Sequence, residues 1–299
     1  VIIVMFILVI YTGFTSDNFF TRNNFMNILM NMSSRLVIAL GIAGCVITAG
    51  CDLSAGRMIG FGACISGMLL QRMDYSGKFF PDMQPLNVFV VALIAMLVCA
   101  AFGTVTGFFI AYLNVPPFIA TLAMMEIVYG IGLIVTNATP LGGYVEQYTN
   151  VSNGKFLGIN YLIWIAIIVA AITWFIFNMT RHGKYMYAIG GNPQAAEVAG
   201  VPVKATLILI YMKAAAMYGL AGFMLGAKAG GASVNLGYGY EMEAIAACTI
   251  GGVSVTGGRG KVSSAIIGVA VFELLKVALQ YLGMNANAQY IAIGVVIFI

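Results

Sequence analysis

Uninterrupted apolar runs constrain this chain more than any other feature. Val88–Ala101 contains no polar side chain, and Ile163–Phe177 contains only Thr173 and the indole of Trp164 and Trp174. Of the 299 residues, 61% are hydrophobic and 8% charged, whereas soluble domains carry about 25% charged residues. A water-soluble fold this apolar would expose large patches and aggregate, so lipid is the expected solvent. In lipid each backbone N–H and C=O must find a partner within the protein, which leaves helices or closed barrels. Barrel strands alternate apolar and polar residues over roughly 10 positions. These runs are continuous, so the expected class is all-α, a polytopic membrane bundle formed by a single transmembrane domain over residues 1–299.

On the yardstick of about 20 apolar residues per span, about ten segments emerge: 1–13, 34–50, 58–70, 86–113, 118–136, 157–178, 203–226, 243–253, 262–282 and 287–299. The first and last are cut by the chain ends, as if both termini were trimmed. The first could be the core of a signal peptide, but no small-residue cleavage site follows it, so it reads as a helix. Segments 34–50, 58–70 and 243–253 are too short or too glycine-rich for ordinary spans. Such interrupted segments either line a transport pathway as half-helices or meet at surface turns. Small residues such as Gly41, Gly44, Gly103, Gly107, Gly219 and Gly222 suit close helix packing.

Formal net charge is +4, from 14 Lys and Arg against 10 Asp and Glu. The bases are scattered singly, which excludes a nucleic-acid-binding stripe. Long connections at 14–33, 71–85, 137–156 and 227–242 carry Asp17, Asp74, Asp82, Glu146 and Glu241. Short ones carry Arg57, Arg181, His182, Lys184, Lys204, Arg259 and Lys261. The positive-inside rule makes the second group cytoplasmic, and ten spans then put both termini inside. The five cysteines (Cys45, Cys51, Cys64, Cys99, Cys248) form no C-x-x-C pair and read as buried small hydrophobes. No metal-binding, Ser/His/Asp or paired-carboxylate set stands out, so no enzyme activity is expected.

The segment from Thr180 to Gly200 is the most informative. Asn192 suits an N-cap and Pro193 the first helical position. Gly200 suits a left-handed C-cap, and Pro202 stops continuation. The result is a helix of about two turns between two spans, too short to persist alone in water. It serves either as a local loop helix or, with small side chains at Ala195, Ala196 and Ala199, as an insert into a partner's groove.

That segment, Gly190-Gly-Asn-Pro-Gln-Ala-Ala-Glu-Val-Ala-Gly200, resembles the coupling helix of permeases in bacterial ABC sugar importers of the ribose, galactose and xylose group. So do Gly50-Cys-Asp-Leu-Ser-Ala-Gly-Arg57, Tyr112-Leu-Asn-Val-Pro-Pro-Phe-Ile-Ala-Thr-Leu122 and the run from Tyr240 to Gly258. Ser54–Arg57 and Asn235-Leu-Gly-Tyr238 look closest to the galactose/methyl-galactoside type. The resemblance implies a ten-helix permease of the bacterial inner membrane working as a homodimer. A cytoplasmic ABC ATPase, which holds ATP and Mg, would grip Gly190, Gly191, Asn192, Pro193, Ala195, Ala196, Glu197 and Gly200. A periplasmic or lipid-anchored binding protein would deliver the sugar. The chain has no P-loop of its own: Gly183-Lys184 and Gly260-Lys261 have Asn178 and Val255 where the leading glycine belongs.

A sugar pathway needs hydroxyl and amide partners and aromatic walls. Asp52 and Ser54 at the broken second segment, and Asn114, Phe118 and Thr121 around Pro116-Pro117, are the expected liners; Asp52 equally suits an N-cap for a helix starting near Leu53. His182 reads as a polar residue on the lipid side of a basic loop. Glu126, Lys213, Glu273 and Lys276 fall inside expected spans, where charges are costly and usually paired. Glu273 and Lys276 can pair locally at i, i+3, and Glu126 with Lys213 between helices. The alternative class is an ion-coupled secondary transporter with Glu126 and Glu273 carrying protons.

Overall fold

The computed structural model describes residues 2–16, 18–285, 288, 289, 291, 294 and 295. In chain order the helices are α1 (Ile2–Thr15), α2 (Arg22–Ile47), α3 (Ala55–Leu69), α4 (Val88–Tyr112), α5 (Pro117–Thr136) and α6 (Glu146–Asn153). A small hairpin follows, β1 (Lys155–Phe156) and β2 (Ile159–Asn160), antiparallel with Lys155 opposite Asn160. Then come α7 (Tyr161–Met179), α8 (Arg181–Gly191), α9 (Pro193–Val198), α10 (Val203–Ala229), α11 (Tyr240–Ile250) and α12 (Val262–Tyr281).

Among the described residues six helices, α2, α4, α5, α7, α10 and α12, are long and apolar enough to cross a membrane. That is fewer than the ten segments expected. Segments 1–13, 58–70 and 243–253 become α1, α3 and α11, of 14, 15 and 11 residues. Segment 287–299 falls largely outside the described residues. Segment 34–50 was read as too short; it is the second half of a 26-residue helix. The stretch expected as a polar connection, 22–33, is helical, with Asn24 and Asn31 bonded within the protein while Arg22, Asn23 and Asn27 stay exposed. Thr21 Oγ1 caps the helix by accepting from Asn24 N at 3.3 Å, Asn24 Nδ2 donates to Phe19 O at 2.7 Å, and Asn31 accepts from Lys228.

The antiparallel pair α2 and α10 forms the centre. Gly41 of α2 lies against Ala214 and Tyr218 of α10, and Gly44 against Ile210, three residues on in one helix and four back from Ala214 in the other. A Cβ on Gly41 would sit 2.9 Å from the Tyr218 ring, so the expected small-residue seam is a packing requirement. The most apolar window of α2 is 78% buried, against 22% for α4 and 28% each for α5 and α7. These three outer helices present Phe89, Leu97, Ile119, Ile134, Ile168 and Phe175 outward, a surface suited to lipid.

Helix lengths repeat as long, short, long: 26, 15 and 25 residues for α2, α3 and α4, then 27, 11 and 20 for α10, α11 and α12. Because α2 and α10 are antiparallel, the second set is inverted relative to the first, an arrangement familiar in transporters. The heads of the two short helices meet. A Cβ on Gly56 of α3 would overlap the Glu241 carboxylate of α11.

At one end of the bundle Ile47 O accepts from Gly258 N at 2.8 Å, Gly190 packs on the same carbonyl, and Tyr187 donates to Gly260 O at 2.8 Å. The segments carrying Arg181, Lys184, Arg259 and Lys261 therefore gather there. At the other end the connections 71–85, 137–156 and 227–242 are knitted by bridges from Gln71 to Tyr144 and from Leu141 to Ala232.

Candidate transport site and exposed capped helix

The expected capping chemistry sets the bounds of α9. Asn192 Oδ1 accepts from Ala195 N at 3.0 Å, Pro193 opens the helix, and Gly200 takes φ +83°, a left-handed conformation that favours glycine. Val201 N then donates back to Ala196 O at 3.0 Å. Six residues make a helix about 9 Å long. Only Ala196 of this helix is buried, while Ala195, Glu197 and Val198 face outward, Val198 at 91% exposure. Of the three alanines expected to fill a partner's groove, Ala196 instead anchors α9 to its own chain.

The preceding helix α8 was not legible, because Gly183, Gly190 and Gly191 argue against helix in isolation. Packing decides otherwise: a side chain at Gly190 would overlap Ile47 O. His182 of α8, read as a polar residue on the lipid side, is half-buried. It shares a cavity with Thr173, Phe177, Ile210 and Lys213, and burial, then the Lys213 charge, lowers its pKa from 6.5 to about 4.

The expected pathway residues separate. Asp52 is 2% exposed, and its Oδ1 accepts from Ser54 N at 3.0 Å and Ser54 Oγ at 2.5 Å. This is an Asx turn ahead of a helix whose first residue is Ala55, so Asp52 neither caps from Leu53 nor faces open space. Ser54 is equally buried. Thr121 is buried and donates to Pro117 O at 2.9 Å. Asn114 (φ 54°) and Phe118, by contrast, are exposed. The turn and the head of α5 do adjoin: a Cβ on Gly50 would sit 3.6 Å from Pro117.

A set of residues not singled out as liners lies one turn further along α3. Arg57 Nη1 donates to Asn235 Oδ1 at 2.6 Å, and its guanidinium stands 3.9 Å from the centre of the Tyr129 ring and 4.4 Å from that of Tyr238. Charge patterning placed Arg57 and the 227–242 connection on opposite sides of the membrane. Their contact corrects that reading, since the connection turns back into the bundle. Val234 O lies 2.5 Å from where a Cβ on Gly60 would stand. The available signal was that Ser54–Arg57 and Asn235–Tyr238 carried the same resemblance.

Of the four charges expected inside spans, Glu273 and Lys276 are paired, and each between helices. Arg35 of α2 meets Glu273 of α12 and, at 3.5 Å, Glu243 of α11; Lys276 of α12 meets Glu243. The local Glu273–Lys276 pair does not form. Among the described residues no ion pair includes Glu126 or Lys213.

A capped helix presented at one end, paired half-helices and an inverted repeat describe a transporter's membrane part. The family described as the permease component of the branched-chain amino acid transport system matches residues 24–299. The chain belongs to this permease family. Similar proteins include the galactose/methyl galactoside import permease of Escherichia coli, 41% identical over 99% of this chain and 90% of that one. The protein of that description from Haemophilus influenzae is 42% identical over 99% and 91%. The ribose import permease of E. coli is 32% identical over 100% and 90%. No solved structure matches the permease.

Proposed function

We propose that this permease is the membrane subunit of an ATP-driven importer that carries a monosaccharide of the galactose/methyl galactoside type into the cytoplasm. The observation that carries the reading is 41% identity to a galactose/methyl galactoside import permease across 99% of the chain. The permease is a transport subunit and not an enzyme. Work would come from a separate ABC ATPase holding ATP and Mg, docked on the outward face of α9 and on the exposed Gly191 and Asn192. Gly190, expected in the same grip, is buried against Ile47 O and would support it from within. Sugar would arrive from a periplasmic or lipid-anchored binding protein. A second copy of the chain would complete the pathway in the bacterial inner membrane, with the α8–α9 end and both termini cytoplasmic.

Within this single domain the passage would run past the head of α5, where Asn114 and Phe118 are exposed, towards the broken region of α3. Asp52, Ser54 and Thr121 would support it from behind. A proton-coupled carrier is the weaker alternative, because Glu273 is held against the Arg35 guanidinium and is not a free carboxyl. The test is uptake of labelled methyl galactoside by native cells. The proposal expects uptake to survive a protonophore while cellular ATP is maintained, and to stop when ATP is depleted. Collapse with the proton gradient at constant ATP would favour the secondary carrier.

A further inference from the structure

Between the heads of α3 and α11 two buried polar atoms face each other's neighbourhood without a partner. Glu241 is 5% exposed, its Oε1 accepts from Gly239 N at 3.3 Å, and its Oε2 has no hydrogen-bond partner. Arg57 Nε is likewise buried and unpartnered, although Nη1 is engaged by Asn235. The two groups are neighbours. The Glu241 carboxylate lies on the backbone of Gly56, the residue beside Arg57, and the Arg57 charge acts on it.

Buried polar atoms without partners are uncommon and costly. An orphan acceptor alone would suit a cation, and an orphan donor alone an anion. A guanidinium N–H beside a carboxylate oxygen instead suits one group that accepts and donates at once, which is a neutral hydroxyl. Both hydrogen bonds would be charge-assisted and therefore strong. Aromatic rings of the kind that stack on sugars adjoin the pair: the Tyr129 and Tyr238 rings both lie within 4.4 Å of the Arg57 guanidinium, and Tyr238 is 62% exposed. Tyr238 sits between Gly237 and Gly239, both at positive φ (95° and 87°), so its loop is built on residues with the widest backbone freedom.

We propose that Arg57 and Glu241 form a transient sugar-hydroxyl site where the half-helices meet, walled by Tyr129 and Tyr238, which helps select the sugar after the binding protein has released it. This rests on the reading of the chain as a sugar permease. Water has the same hydrogen-bonding chemistry, and the arms of the experiment separate the two occupants.

The experiment introduces Glu241→Gln and Arg57→Lys at the native locus. It measures uptake of methyl galactoside and of each singly deoxygenated methyl galactoside, with membrane abundance followed by immunoblot. Glu241→Gln keeps the side-chain shape and the acceptor for Gly239 N, so folding is retained. The expected result is maximal methyl galactoside uptake lowered about tenfold in both variants at unchanged abundance. One deoxy sugar should be carried about tenfold more slowly than its parent by the wild type, and no more slowly than its parent by Glu241→Gln. Discrimination that persists in Glu241→Gln would leave only water at the site and overturn the proposal. So would uptake within twofold of wild type, or a loss of protein that accounts for the loss of uptake. Failure of the wild type to carry any monosaccharide would instead sink the permease's assignment to sugars.

Discussion

Glu273, 1% exposed on α12, is held by Arg35 of α2, while Glu243 of α11 lies between Arg35 and Lys276. Two acids and two bases thus compensate within the bundle, whereas Glu126 of α5 is exposed and makes no ion pair among the described residues. Removing one member exposes the others. Glu273→Gln should cost about 3 kcal/mol by leaving Arg35 short of its partner, seen as a lower unfolding midpoint in detergent. Adding Arg35→Gln should restore part of the loss; an additive double mutant would contradict the pairing. Gly190 and Gly191 make a second contrast. A Cβ at Gly190 would overlap Ile47 O and come within 2.5 Å of Gly258 N, whereas one at Gly191 meets nothing within 4 Å. Gly190→Ala should therefore lower thermal stability strongly and Gly191→Ala hardly at all. His182 carries a pH dependence. Its pKa is about 4 in the fold against 6.5 in the free side chain, so the unfolded chain binds the proton more readily. Its stabilising effect is complete above about pH 6.5 and is lost as pH falls towards 4. His182→Gln should flatten that part of the melting-temperature profile, and an unchanged slope would place the dependence on another group.

Among the elements, α9 was readable in the sequence because all of its determinants are local: an N-cap, a proline and a left-handed glycine lie within nine residues. Elements whose helicity is tertiary were not readable. In α8 glycines permit contact with Ile47, and in the first half of α2 polar side chains find partners on the 18–21 turn and on α10. Likewise Asp52 looked like a liner or a cap because polarity is visible in sequence, while its Asx turn and burial are not. The outward face of α9 makes the element-scale prediction. Val198→Arg leaves a residue already 91% exposed in water, so the chain should reach the membrane at normal abundance while methyl galactoside uptake falls at least tenfold. Uptake near the wild-type rate would remove α9 from the coupling role.

Across the whole molecule, the inverted sets of long, short and long helices bring the heads of α3 and α11 together near the middle of the bundle. The shortness of segments 58–70 and 243–253 forecast the half-helices. Their meeting point, with Arg57 touching Asn235, could not be read from loop charges, which report the side of a connection only when it stays outside the membrane. The same geometry separates the two regions that carry the proposals, the α8–α9 end proposed to face a partner and the cluster of polar and aromatic residues where the half-helices begin. In the proposed importer, force enters through α9 from another subunit. That route is tested most directly by purifying the tagged chain from its native membrane in mild detergent and identifying what accompanies it, with Ala195→Arg as the comparison because Ala196 is anchored inward. An ATP-binding subunit that accompanies the wild type and is absent from Ala195→Arg is the predicted result; recovery of that subunit in equal amount with both proteins, or with neither, would contradict it.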